Sequence, residues 1–288
     1  MSDTVVIEVR DLSHWYLSET PLQVRSLNGV RLTVNSDEVV GIIGPTGSGK
    51  STLLSHLNGL IRPQSGDVRV FGMSLTDNAV DVKSIRRRIG MLFQNPEQQL
   101  FERFAGDDVA FGPKNYHVEG AELRRVVRDA MELVGLPFSY KDRLTSDLSL
   151  GEKRRIALAG VFALNPQVLV LDEPTASLDP HGRNLVLDLL KRWQKKRGRS
   201  IVVVSHNMED IVELANRTYL LSQGSIVYGG KTSELFLNRE LLIGQGLALT
   251  VPLQVIHKLS EKNIHLKRGS VTARGVADEI GGVLRGTA

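Results

Sequence analysis

The chain has 288 residues, with 36 basic against 32 acidic side chains and a net charge of +4 at pH 7, enough sequence for one large domain or one domain with an appendage. No apolar run approaches the roughly 18 residues of a membrane helix, so the chain is not expected to span a bilayer by itself, and its first residues lack the basic start and apolar core of a signal peptide. Cysteine is absent, which excludes disulfides and thiolate metal sites.

Val5-Val6-Ile7-Glu8-Val9 predicts an opening strand, Leu12-Ser13-His14-Trp15-Tyr16 follows, and Val30-Arg31-Leu32-Thr33-Val34 predicts a second strand. The apolar run Val39-Val40-Gly41-Ile42-Ile43 then leads into Gly44-Pro45-Thr46-Gly47-Ser48-Gly49-Lys50-Ser51, which fits G-x-x-x-x-G-K-[ST]. A helical pattern over 51–60 comes next, with Leu53, Leu54 and Leu57 as its apolar positions. Strand, glycine loop and helix are the context that a phosphate-binding loop requires. Glycines let successive backbone N–H groups turn inward on one anion. The helix N-terminus adds unpaired donors and a positive dipole end. Lys50 can reach the β- and γ-phosphates and the Ser51 hydroxyl can ligate Mg²⁺, so the candidate nucleotide-binding set is Gly44, Pro45, Thr46, Gly47, Ser48, Gly49, Lys50, Ser51 and Thr52. An aromatic just upstream of such a core can stack on adenine through its π-face. Tyr16 is the candidate and Trp15 its competitor; strand alternation sends the two to opposite faces, so only one can serve.

Arg62-Pro63-Gln64-Ser65-Gly66 is turn chemistry, 67–71 a short strand and Lys83-Ser84-Ile85-Arg86-Arg87-Arg88 the end of a basic helix. Ile89-Gly90-Met91-Leu92-Phe93 is a buried-type strand that stops at Gln94-Asn95-Pro96, where the Gln94 amide can reach a metal or a water. Residues 97–113 read as short helices and loops. Helical spacing returns over 120–134 and ends at Gly135-Leu136-Pro137. Leu148-Ser149-Leu150-Gly151-Glu152 opens another helix that runs to Leu164. Ser149 and Glu152 have capping-box spacing. The same hydroxyl, glycine and free N–H groups can bind phosphate; since the chain has its own loop, that phosphate would come from another chain.

Val168-Leu169-Val170-Leu171-Asp172-Glu173 is an apolar strand ending in two carboxylates, which a buried strand does not do without a cation to meet them. Beside a phosphate loop, Asp172 can hold Mg²⁺ through water and Glu173 can deprotonate the attacking water. Ser177-Leu178-Asp179-Pro180 makes a turn in which Asp179 can face a neighbouring subunit, and a helix over 181–196 follows. Ser200-Ile201-Val202-Val203-Val204-Ser205 ends at His206, which can hydrogen-bond a γ-phosphate and the water beside it. Strands ending at Gln94, Glu173 and His206 would converge where open α/β sheets hold their ligands. Residues 217–228 predict a hairpin turning at Gln223-Gly224-Ser225. From about Asn238 the pattern is interrupted by Gly244, Gly246 and Pro252, with short helices expected over 252–259 and 276–284; this reads as a small appended module for contact with another chain. The basic runs at 83–88 and 191–199 close predicted helices, where cations suit the negative dipole end, so no nucleic-acid partner is expected.

In this order, the phosphate loop, Gln94, the LSLGE segment at 148–152, Asp172-Glu173, Ser177-Leu178-Asp179 and His206 resemble the ATP-binding-cassette (ABC) family over roughly residues 4–235. The resemblance implies an α/β P-loop NTPase with a RecA-like core, an antiparallel β subdomain, a helical signature subdomain at about 95–165 and, after an ATP-binding domain over 4–237, a C-terminal extension over 238–288 serving dimerisation. It implies ATP and Mg²⁺ as ligands. Glu173, His206 and Gln94 would be catalytic; Ser51, Gln94 and Asp172 would serve the metal. Ser149, Gly151 and Glu152 would complete a second subunit's site in trans. The family form of the segment is usually LSGGQ; here Leu150 and Glu152 stand in its third and fifth places. Phe93-Gln94-Asn95-Pro96-Glu97-Gln98-Gln99-Leu100-Phe101 and Asp108-Val109-Ala110-Phe111-Gly112-Pro113-Lys114-Asn115 look like the ATPases of energy-coupling-factor importers, which include cobalt and nickel importers. That resemblance implies a second ATPase, identical or paralogous, a transmembrane coupling protein, a membrane substrate-binding subunit for a vitamin or metal ion, and a peripheral place on the cytoplasmic face of the membrane. Glu97 and its neighbours would form the groove for arginine-bearing coupling helices. A soluble cassette of DNA repair or translation is the competing reading, but the long coiled-coil insertions or second cassette of such proteins are absent. A P-loop kinase would have no use for LSLGE or His206.

Overall fold

A computed structural model describes residues 4–262, 264, 266 and 270–285; the Glu97 side chain, with its expected part in a coupling groove, lies outside the described residues. The chain opens with strands β1 (Val5–Tyr16) and β2 (Val24–Asn35). Strand β3 (Val39–Ile43) feeds helix α1 (Lys50–Leu57), after which β4 (Ser65–Val70) and β5 (Met73–Ser74) return to the first sheet. Helix α2 (Val82–Arg88) leads to β6 (Ile89–Leu92). Three helices follow: α3 (Ala105–Asn115), α4 (Gly120–Leu133) and α5 (Leu150–Ala163). Then come β7 (Val168–Asp172), α6 (Pro180–Gln194), β8 (Ser200–Val204) and α7 (Met208–Leu214). Strands β9 (Arg217–Ser222) and β10 (Ser225–Lys231) form a hairpin, and α8 (Thr232–Leu237), α9 (Arg239–Gly244), α10 (Val251–Glu261) and α11 (Ala273–Leu284) end the chain.

The strands form two sheets. An antiparallel one has the order β2-β1-β4-β5; the other has the order β10-β9-β3-β8-β7-β6 and is parallel except at its β10 edge. Strands β3, β7 and β8 are buried at every residue, because their unbroken apolar runs are covered on both faces. Alternation divides each strand between two cores. Val40, Ile42, Val168 and Val170 face α1 and the antiparallel sheet, while Val39, Ile43, Leu169 and Leu171 face the helical side with Ile156, Leu187 and Phe236. Leu242, Leu247 and Leu253 join that second core, so the chain past Asn238 is anchored to the body.

Several boundaries differ from the sequence reading. Strand β1 is one bulged strand rather than two short ones, with register shifts on both sides of Leu12 and Asp11 at φ +49°; each bulge breaks the alternation that sequence pattern relies on. Strand β2 starts six residues earlier than its apolar run, through Asn28-Gly29, which had no strand signal. Helix α3 spans eleven residues and runs through Pro113, where short helices and loops are expected from composition; Val109 and Ala110 bury its inner face. The hairpin turn matches: Gln223 and Gly224 both have positive φ and Ser222 pairs with Ser225, a two-residue turn whose twist suits flanking strands. Among the described residues, no helix is long and apolar enough to cross a membrane.

Candidate nucleotide site

The loop between β3 and α1 is fixed by three glycines with positive φ: Gly44 at +152°, Gly47 at +77° and Gly49 at +103°. At Gly49 a Cβ would lie 2.5 Å from the Ser26 carbonyl oxygen, so close approach as well as conformation demands glycine there. Lys50 is buried, and its Nζ donates to the Gly44 and Pro45 carbonyls, each at 2.8 Å. That hold bends the ammonium over the loop; burial pulls its pKa down, opposed by Glu173 and Asp172.

Two strand tips meet the loop. The Ser51 hydroxyl donates to Asp172 Oδ2 at 2.8 Å, joining the first turn of α1 to the end of β7. Burial raises the Asp172 pKa. The next residue, Glu173, stands at φ +53°, a left-handed backbone that a non-glycine residue holds only when its surroundings fix it. Its N–H donates to the Val204 carbonyl at 3.0 Å, which ties it to the end of β8. Burial pushes the Glu173 carboxyl up to about 7, and nearby Asp172 adds to the rise. A carboxyl poised near neutral pH suits a general base. Its Oε1 is buried and has no hydrogen-bond partner, and His206 Nε2 lies 3.8 Å away. The imidazole is half-exposed, and burial, then Lys50, pulls the His206 pKa down.

Gln94 completes the convergence just past the end of β6. With Thr46, Gly47, Gly49, Lys50, Ser51, Thr52, Asp172, Glu173 and His206 it lines one cleft of about 250 Å³. Ser26, which carried no signal in the sequence, lines it as well and donates to Thr52 Oγ1 at 2.9 Å. The hydroxyls of Tyr16 and Thr52 are 3.0 Å apart, and the Tyr16 ring meets His14 edge-on at 4.7 Å. The Trp15 ring is covered by Arg25 instead, and its backbone N–H donates to Gln64 Oε1 at 2.6 Å. Ser51, Asp172 and Gln94 bring a hydroxyl, a carboxylate and an amide to the lining of one cleft, oxygen donors of the kind Mg²⁺ takes.

Ser149, Gly151 and Glu152 are not in this cleft. They open α5 on the surface. The Ser149 hydroxyl donates to Glu152 Oε2 at 2.8 Å and accepts from the Glu152 N–H at 3.3 Å, while the Ser149 N–H donates back to Oε2, a complete capping box. Leu150 is 48% exposed, and a Cβ on Gly151 would meet only Leu178, at 4.0 Å. Asp179, capping α6 through Gly182, sits on the neighbouring turn. Buried Arg154 reaches from α5 to the Ala176 carbonyl of that turn.

The sequence pattern described as ABC transporter matches residues 27–176. The chain is 44% identical over 275 residues to an energy-coupling factor transporter ATP-binding protein, EcfA2, of Symbiobacterium thermophilum, covering 96% of this chain and 95% of that one. It is 42% identical to the EcfA2 of Clostridium perfringens, covering 90% and 92%. Among solved structures it is similar to cbiO1 from Clostridium perfringens, described as part of the ABC transporter complex cbiONQ, with a TM-score of 0.73, 31% identity and coverage of 88% and 100%. The ATP-binding cassette MJ0796 bound to ADP and Pi superimposes with a TM-score of 0.71 at 27% identity, over 78% of this chain and 98% of that one.

Proposed function

The chain belongs to the ABC transporter family and is the ATP-hydrolysing subunit of an energy-coupling-factor importer, and on that premise we propose how its residues divide the work. Tyr16 stacks on adenine. Lys50 and the N–H groups of the Gly44–Ser51 loop hold the phosphates; ATP binding draws the Nζ from the loop carbonyls to phosphate oxygens. Ser51 and Gln94 would hold Mg²⁺ directly and Asp172 through water; the ion supplies charge neutralisation to the β- and γ-phosphates. Glu173 takes a proton from the attacking water. The water oxygen bonds to the γ-phosphorus as the bond to the leaving ADP oxygen breaks, and His206 orients the γ-phosphate. The observation that carries this reading is the convergence of the β6, β7 and β8 tips on one glycine loop, with Glu173 Oε1 buried and unpartnered between them.

The exposed start of α5 supports the second part of the proposal. Ser149, Gly151 and Glu152 cover the loop of another ATPase, the same chain or a paralogue, and that chain's segment covers this one. ATP closes the pair; hydrolysis reopens it and moves a transmembrane coupling protein that works with a membrane subunit carrying a vitamin or transition-metal ion. The ATP-binding domain ends near residue 237. The helices past Asn238 serve ATPase–ATPase contact, and the chain works at the cytoplasmic face of the membrane without crossing it. Glu173→Gln tests the core of this: it keeps the size of the side chain but not the base, and should trap a closed, ATP-bound pair with turnover lost. Full turnover in that variant would reject Glu173 as the base. Glu97→Ala tests the groove: unchanged binding of the membrane partners would remove Glu97 from it.

A further inference from the structure

A buried carboxylate lies beside the cleft without lining it. Asp210, in the first turn of α7, is 1% exposed. Three donors from three elements meet it. The Thr175 hydroxyl donates to Oδ2 from the turn after β7, two residues past Glu173. The Arg183 Nε donates to Oδ1 at 2.6 Å from the first turn of α6. The Ser205 hydroxyl approaches Oδ2 at 3.5 Å from the tip of β8, one residue before His206. Ser205 Oγ also accepts the Asn207 N–H at 3.0 Å, which fixes the entry to α7.

A buried charge contributes little to stability by itself, because desolvation offsets most of what its partners return; apolar packing would serve a core equally well. What such a group does supply is direction, since each donor must be in place. Here the donors flank the residues that the proposed mechanism uses. Glu173 needs its strained backbone over-determined, and Thr175 and the Glu173 N–H contact to Val204 clamp that turn from both ends. We infer that Asp210 is a positioning residue for ATP hydrolysis: its carboxylate locks the turn carrying Glu173 to the strand tip carrying His206, and through Arg183 locks both to the helix that Asp179 caps. Asp210 does not touch substrate. It sets the distance and angle between the two groups that do, and a misplacement of about 1 Å in such a pair costs on the order of 100-fold in rate.

This inference rests on the site assignment proposed above, so Glu173→Gln and His206→Ala belong in the same experiment. The full chain, purified with its membrane partners, is assayed for ATP turnover against ATP concentration, with fluorescent-ATP binding measured in parallel. Asp210→Asn and Thr175→Val should each lower kcat by about tenfold or more while KM and ATP affinity change by less than about twofold. Thr175→Ser, which keeps the hydroxyl, should stay near the parent rate. Asp210→Asn combined with Thr175→Val should be no slower than the slower single variant, because both cut one link. If Glu173→Gln and His206→Ala lose turnover but Asp210→Asn and Thr175→Val keep it, the inference is wrong and the site assignment stands. Losses that multiply, or that appear equally in ATP affinity, also overturn it. If Glu173→Gln and His206→Ala keep turnover, the site assignment itself fails. Should Asp210→Asn not fold, the contrast between Thr175→Val and Thr175→Ser decides: equal rates reject the lock.

Discussion

The glycine loop before α1 and the segment that opens α5, for which we propose a phosphate in trans, are built in opposite ways. The Gly44–Ser51 loop is closed over, with Lys50 buried, three glycines in positive φ, a Ser51 hydroxyl link to Asp172 and, at the next residue, Thr52 hydroxyl contacts with Ser26 and Tyr16. The Ser149–Glu152 segment is open: Leu150 is exposed, Gly151 has free space around it, and its Ser149 hydroxyl is bonded within the helix start. A loop that must enclose its ligand is shaped by its own chain. A segment that completes another chain's site is shaped to be approached, so its chemistry is legible only against a partner. Changes in the first segment should therefore damage the chain that carries them, and changes in the second should damage function while sparing the fold.

The largest expected effect is at Lys50. Lys50→Ala removes the buried cation that the loop carbonyls hold, and ATP turnover of the assembled transporter should fall by about 100-fold or more, since charge stabilisation of the transferred phosphoryl group is a dominant part of catalysis. A comparable loss on replacing Ser149 alone, without any loss from Lys50→Ala, would invert the comparison. Two glycine substitutions sharpen it further. Gly49→Ala forces φ +103° on a residue with a Cβ and drives that atom to 2.5 Å from a backbone oxygen, so the fold should lose about 3 kcal/mol in chemical unfolding. Gly151→Ala meets open space in a helix and should stabilise the chain by up to about 1 kcal/mol, while turnover falls because a methyl group now stands where another chain's phosphate approaches.

The same contrast explains what could be read from the sequence. The parallel strands were legible because burial on both faces requires apolar runs, and the polar residues that end them, Gln94, Glu173 and His206, stand out for that reason. The capping box at Ser149 was legible from spacing alone. The long bulged strands β1 and β2 were not, since each bulge resets the alternation. Ser26 in the cleft and Asp210 beneath it carried no local signal either. A serine within a strand and an aspartate in a helix's first turn look ordinary until folding brings Ser26 to Thr52 and Asp210 to Thr175 and Arg183, each more than 25 residues away. Tyr16 is the candidate over Trp15 in the sequence, and the contact of its hydroxyl with Thr52 supports that preference.

Enclosure also gives the helix that follows the first segment a weakness to acid. His56 in α1 is fully buried, its ring 5.0 Å from that of His14. Burial, with the neighbouring His14, pulls its pKa from 6.5 to about 4. A histidine held neutral in the fold but free to charge when unfolded contributes stability above pH 6.5 that is lost as the pH falls from there toward about 4. At pH 5 this should amount to about 2 kcal/mol. Chemical unfolding of the parent chain and of His56→Leu at pH 7.5 and pH 5 isolates it: the parent should lose about 2 kcal/mol relative to the variant, since the opposite contributions of Glu173 and Asp108, whose carboxyls burial raises to about 7 and about 6, are common to both. An unchanged pH dependence in that variant would assign acid sensitivity elsewhere.

The smallest expected effect concerns Glu152. Its carboxylate accepts from the Ser149 hydroxyl and N–H, which hold its pKa below the ordinary value, and Arg143 stands 3.7 Å away. It is therefore charged at neutral pH, and it occupies the hydroxyl hydrogen that Ser149 would offer to a phosphate in trans. Approach of a polyphosphate to that serine must break this bond against a like charge. Glu152→Gln keeps the capping geometry, since a glutamine oxygen also accepts from the N-cap, but it removes the charge and weakens the hold on the hydroxyl. Stability should move by no more than about 0.5 kcal/mol, and turnover at the site this segment completes should rise by about two- to fivefold, the scale of one exposed charge worth roughly 0.5–1 kcal/mol. In a pair of non-identical ATPases, the gain should appear only when the other subunit retains its own loop lysine. A gain that persists after that lysine is removed would mean that Glu152 acts within its own chain, and the division between an enclosed loop and an open segment would no longer hold.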